Sequence, residues 1–218
     1  MLDLIKRLAK KRYYQEKNDV FSKNYIQNLR DQILESDYLA KNHLNYRFST
    51  TLGFSVIFKT ETINKVKDKF PYFCEYIDQT ISNKYNAYYL NPLLIPLDAK
   101  VEPHIDKSLR SYCLDVPTPE RVSVLYIDIP KMSGGKLILY NDEKFIEEIT
   151  PVINKLLFFR GDLRHEVTPI EEIFSDNIKY RVSLVCEQYY LDSNQLKQIP
   201  DFLIRSDTSF SNFLKNEI

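Results

Sequence analysis

The chain has 218 residues, enough for one domain with a full core and too few for two comfortable ones. Lys plus Arg and Asp plus Glu both total 30, which leaves no net charge and removes the usual electrostatic footprint of a nucleic-acid binder. Cys74, Cys113 and Cys186 are odd in number, far apart and not in CxxC spacing, which argues against a disulfide framework or a cysteine zinc site and fits a reducing cytoplasm. The start, MLDLIKRLAKKR, has no apolar run long enough for a signal peptide, and no later segment approaches a membrane span. A soluble cytoplasmic protein with neither membrane nor nucleic-acid partners is expected.

In chain order, Leu2, Ile5, Leu8 and Ala9 recur at helical spacing among basic residues, which predicts a helix over 1–12 with a solvated basic face. Tyr25, Ile26, Leu29, Ile33 and Leu34 repeat the helical period over 22–38, with Ser22 placed to cap it. His43 has no acidic or cysteine partner at ligand spacing and reads as a loop histidine. The run FSVIF at 54–58 predicts a strand, and 60–82 predicts one or two helices broken at Pro71. At Tyr85 the chain turns to aromatic and branched residues, where Pro92 and Pro96 demote the segment to an irregular or edge strand.

From there the pattern is almost all strand. Segments 100–106, 121–129, 136–140, 144–149, 155–159, 166–170 and 180–190 are short, apolar and separated by turn signals. So many strands without interleaved helices predict an α+β, mainly β fold: a jelly-roll or double-stranded barrel with the N-terminal helices packed on its sheet. The expected boundaries are an N-terminal helical extension over 1–84, a catalytic core over 85–191 and a C-terminal segment over 192–218 that covers the barrel or contacts a second copy. Residues 107–120 lack either periodicity and hold two prolines; they read as a long loop, either a lid or a passive connection.

The chemistry gathers between 103 and 183. His104 and Asp106 stand two apart, so on an extended segment they share a side and can chelate one ion together. His165 follows an apolar strand and a polar turn, where a barrel returns to the same rim. Two imidazoles and one carboxylate form the facial triad that holds non-haem Fe(II) and leaves its other positions open. Arg181 and Ser183 share one face of the last apolar strand. A buried arginine there is costly unless paired, and it suits a carboxylate-bearing cosubstrate.

RVSVLYID at 121–128, the Gly134-Gly135 turn in MSGGKLILY, TPVINKLLFFRGDLRHEV and KYRVSLV together resemble the Fe(II)/2-oxoglutarate dioxygenases, within them the prolyl 4-hydroxylase-like branch. The resemblance covers roughly 85–191 and implies a cupin-like double-stranded β-helix. It implies His104, Asp106 and His165 as iron ligands, Arg181 on the distal carboxylate of 2-oxoglutarate, and Ser183 and Tyr126 assisting. One departure stands out: Arg181 lies 16 positions after His165, further than in those relatives, and Lys179 on the same strand face is the alternative cation. The implied cofactors are Fe(II), 2-oxoglutarate and O2, with ascorbate as a further candidate.

The implied reaction is hydroxylation of an unactivated carbon with release of succinate and CO2. Asp106 argues against the halogenase variant, which lacks this carboxylate. A peptidyl or protein side chain, proline among them, is the leading substrate. A free amino acid or small metabolite is the second reading, with Lys107 and Arg110 as residues that would face it. A non-catalytic metal- or ligand-binding jelly-roll is a weaker reading. A nucleic-acid demethylase ranks last, given neutral charge and no tryptophan for base capture.

Overall fold

The computed structural model describes residues 12–41, 51–174 and 179–206. The expected helix over 1–12 falls almost wholly outside this range, as do His43 and the last twelve residues of the C-terminal segment.

After a short edge strand β1 (Tyr14–Lys17), helix α1 (Lys23–Leu34) begins where Ser22 accepts a hydrogen bond from the Tyr25 N–H at 3.1 Å. Tyr25, Ile26, Leu29 and Ile33 form its buried stripe. Two small strands, β2 (Ala40–Lys41) and β3 (Leu52–Gly53), lead to β4 (Ser55–Lys59), the expected strand shifted by one residue. Helices α2 (Ile63–Lys69) and α3 (Cys74–Thr80) follow, separated at Pro71 as the sequence indicates. The segment expected as a helical extension therefore also supplies strands to the sheet.

The next strand corrects the sequence reading. β5 (Ala87–Pro96) is neither irregular nor at an edge; it runs ten residues through the interior of a nine-stranded sheet. On one side it pairs with β14 (Tyr180–Tyr189) along its whole length. On the other, β4 pairs with residues 87–90 and β3 with 93–94, so Pro92 falls in the gap between two partners and its missing N–H breaks no ladder. Pro96 is the last residue of the strand, where the same tolerance applies.

Beyond β6 (Val101–His104) and the 107–120 connection, β7 (Arg121–Asp128) joins the large sheet beside β14. β8 (Met132–Gly134), β9 (Leu137–Asn141) and β10 (Lys144–Ile149) follow, and β11 (Leu156–Arg160) returns to pair with β7. The predicted strand at 166–170 is instead two strands, β12 (Arg164–Val167) and β13 (Ile170–Ile173), because Pro169 separates them and His165 belongs inside the first. Helix α4 (Ser193–Gln198), with Asp192 and Gln195 forming a reciprocal cap, then leads to β15 (Phe202–Arg205) beside β4.

The large sheet runs β1-β11-β7-β14-β5-β3-β2, with β4 and β15 attached through β5; the smaller runs β10-β9-β12-β6. Alternation along the strands divides the core. Leu125, Ile127, Val182, Leu184 and Cys186 face the helices, whereas Val122, Val124 and Tyr126 face the smaller sheet with Leu137, Leu139 and Val167. The result is the expected mainly β architecture of two antiparallel sheets with helices over one of them.

Gly134 shows how tightly the ends are joined. It has φ of +72°, and a Cβ there would lie 1.9 Å from the Pro169 carbonyl oxygen where β8 meets β13. Gly134→Ala is expected to cost at least about 2 kcal/mol, read as a lower urea midpoint with an unchanged slope.

Candidate metal centre

β6 ends at His104, whose register partner on β12 is His165. Between this pair and Val101–Val167, β6 carries one extra residue, a bulge that accommodates Pro103 and turns the chain toward Asp106. Ile105 between the ligands is 41% exposed, whereas His104, Asp106 and His165 are buried. The alternation expected of an HxD pair is thus present.

The three side chains converge. His104 Nε2 lies 3.2 Å from Asp106 Oδ1, and His165 Nε2 lies 3.5 Å from Asp106 Oδ2. Donor atoms about 2.1 Å from one ion and at right angles to each other are about 3 Å apart, near both separations, and one ligand atom from each of the three residues lies within 4.8 Å of the other two. The opposite ring nitrogens fix the tautomers: His104 Nδ1 is 2.7 Å from the Glu102 carbonyl oxygen and His165 Nδ1 is 3.1 Å from that of Leu163. A carbonyl can only accept, so each Nδ1 carries the proton and each Nε2 presents a lone pair to the centre. Burial pushes the His165 pKa down, against the opposing pull of Asp106, which favours the neutral, ligating imidazole. The ring of Phe159, edge-on at 5.0 Å, holds the His165 plane.

The triad opens into a cavity of about 400 Å3 between the two sheets. Arg181 lies in its wall at 2% exposure, on the face of β14 that also carries Ser183. No carboxylate pairs with Arg181 among the described residues, and its Nε, the Ser183 hydroxyl and the Tyr126 hydroxyl are buried without hydrogen-bond partners. Its guanidinium carbon stands 5.1 Å from the Tyr126 ring centroid, and Tyr126 and Ser183 are opposite one another in the β7–β14 register. Burial presses the Arg181 pKa down, and burial raises that of Tyr126 while the arginine's charge opposes the rise. Lys179, the alternative cation, is exposed and lies outside the cavity wall.

Lys107 and Arg110, singled out from the sequence, line the mouth. The 107–120 connection also buries Leu109, Cys113 and Val116 against Tyr189, Leu191 and Ile199, so its underside is anchored in a third core cluster. The sequence reading missed Glu187, Asn91 and Arg205, which line the same cavity. Glu187 was within reach, because RVSLVCE places it on the same alternating face as Arg181 and Ser183. Arg205 was not, since nothing local assigns a C-terminal strand to the mouth of a distant barrel.

No protein-family model and no curated protein matches this sequence. Solved structures do match in shape. A prolyl-4-hydroxylase from Pseudomonas putida aligns at a TM-score of 0.56 and 16% identity, over 88% of this chain and 100% of its own. A Trichoplax adhaerens prolyl hydroxylase, in complex with a hypoxia inducible factor oxygen degradation domain peptide fragment, aligns at 0.54 and 15%, over 90% and 94%. A Burkholderia pseudomallei oxidoreductase of the 2OG-Fe(II) oxygenase family aligns at 0.54 and 11%, over 87% and 91%. The fold is therefore the double-stranded β-helix that the 2OG-Fe(II) oxygenases share. Within it, this chain places a His-Asp-His group fit to hold a metal.

Among the described residues, no helix is long and apolar enough to cross a membrane.

Proposed function

We propose that this chain is an Fe(II)- and 2-oxoglutarate-dependent oxygenase that hydroxylates an unactivated carbon and releases succinate and CO2. His104, Asp106 and His165 would hold the iron, which supplies the oxygen activation when bound. The same donor types also serve zinc in hydrolases, so the triad alone does not separate the two chemistries. The observation that carries the reading is Arg181: a buried guanidinium that has no carboxylate partner among the described residues, in the same cavity as the metal ligands. An unpaired buried charge is costly, and the distal carboxylate of 2-oxoglutarate supplies the missing counter-charge. Tyr126 and Ser183 bring two unsatisfied hydroxyls to the same place.

The protein's part is then to bind, orient and exclude water. Arg181 at the floor orients the cosubstrate toward the ligands, and the apolar wall of Val101, Val122, Leu137 and Phe159 keeps the reacting end dry. A peptidyl side chain, proline among the candidates, is the first substrate reading; it is supported by a protein of this fold that holds a peptide. A free amino acid or small metabolite is the second, supported by the charged groups of Lys107, Arg110 and Arg205 around the mouth. Mixing the protein with Fe(II) and 2-oxoglutarate under nitrogen should give a weak visible charge-transfer band. Admitting air with a panel of peptides and amino acids should then release succinate with one group. A wild-type protein with neither band nor succinate would end the proposal.

A further inference from the structure

Along the cavity face of β14, Arg181 and Ser183 are followed by Val185 and Glu187. Glu187 stands six residues, about 20 Å of strand, from Arg181, and so marks the opposite end of the wall. It is 2% exposed. Its carboxylate is fixed by neutral donors: the Ser108 N–H at 3.1 Å, the Ser108 hydroxyl at 2.5 Å and the Tyr189 hydroxyl. Among the described residues no lysine, arginine or histidine pairs with it.

Burial raises the Glu187 pKa, and the donors from Ser108 and Tyr189 pull it part of the way back. A buried carboxylate that lacks a cation is destabilised, and a cation brought by a ligand relieves it. A second acceptor lies close by. Tyr89 is opposite Glu187 in the β5–β14 register, and Asn91, its diagonal neighbour, has a buried Oδ1 without a hydrogen-bond partner. Diagonal pairs on one face of a sheet lie about 7–8 Å apart, within reach of one donor-rich group set between them.

We propose that Glu187, with Asn91 beside it, selects the substrate by taking a positively charged nitrogen, a primary ammonium or a guanidinium, at the end of the cavity away from Arg181. This rests on the oxygenase reading, with 2-oxoglutarate at the Arg181 end. A lysyl or arginyl side chain of a peptide and a free basic amino acid offer the same chemistry. A peptidyl proline, which is neutral, does not.

The test is calorimetry under nitrogen, with Mn(II) in place of iron and saturating 2-oxoglutarate. Its ligands are lysyl and arginyl peptides and the free amino acids, each beside an isostere with a neutral side chain: 2-aminoheptanoic acid for lysine, citrulline for arginine. Cationic members are expected to bind at least about 30-fold tighter than their isosteres, and Glu187→Gln should erase most of that ratio. Peptide-only or free-only binding would identify the source of the cation, and either supports the inference. Glu187→Asp keeps the charge and should keep a preference, which provides a second variant if Glu187→Gln fails to fold.

Equal binding of charged and neutral members would overturn the inference. So would an equal loss for both in Glu187→Gln, since that would mean the carboxylate only anchors the 107–111 turn. Succinate release with a neutral prolyl peptide and not with the basic ligands would overturn it while leaving the oxygenase reading intact. Loss of the Fe(II)/2-oxoglutarate band in the wild type would remove both.

Discussion

His165→Ala is expected to abolish the Fe(II)/2-oxoglutarate band and substrate-dependent succinate release together, with metal affinity down by more than about 100-fold. Altering the outer partners of metal ligands typically costs 10–100-fold, and removing a ligand exceeds that. The geometry makes His165 the most exacting of the three. His104 and Asp106 are joined by a single intervening residue and move together, but His165 arrives from β12, and its Nε2 completes the face only because β6 and β12 pair at that register. The neighbouring substitution Glu166→Gln is the control. Glu166 lies on the other face of β12, where it accepts from the Tyr140 hydroxyl at 2.6 Å, and its loss should leave both signals in place. Calorimetric titration with Fe(II) under nitrogen and the band itself give independent readouts. A variant that still titrates and colours as wild type would show that the convergence at this centre holds no iron.

The sequence made the fold class and the triad legible for a physical reason: both rest on short-range patterns. Period-two alternation marks the strands, and HxD states its own geometry as soon as its backbone is extended. Pro92 misled because a proline's cost depends on whether its N–H faces a partner, and that is set by β3 and β4 stopping on either side of it. The choice between Arg181 and Lys179 could not be made from spacing either. Both fall on one side of an ideal strand, but β14 starts at Tyr180, and only Arg181 lies within it, covered and facing the cavity. The extra length between His165 and Arg181 includes the β13 strand, which pairs with β8 in a separate two-stranded ribbon. Glu187 was visible as a carboxylate in an apolar strand. Its lack of a cation was not, because that is a statement about every element around it.

Arg181→Met is expected to separate stability from function. If the guanidinium serves a carboxylate of the cosubstrate, the empty protein gains nothing from it and bears the cost of burying an unpaired charge. A methionine of comparable reach fills the space without that cost, so the urea midpoint should hold or rise. The 2-oxoglutarate KM should meanwhile increase by at least about 30-fold, the loss expected when one partner of a buried, hydrogen-bonded charge pair is removed. Ser183→Ala should follow in the same direction with a smaller effect, about 10-fold, as befits one hydrogen bond to a charged group. Lys179→Ala, at an exposed position outside the cavity wall, should leave the KM unchanged. A structural arginine predicts the reverse for Arg181→Met, a clear loss of stability with an unaltered KM. The two measurements therefore decide whether this buried charge is held for the fold or for the ligand.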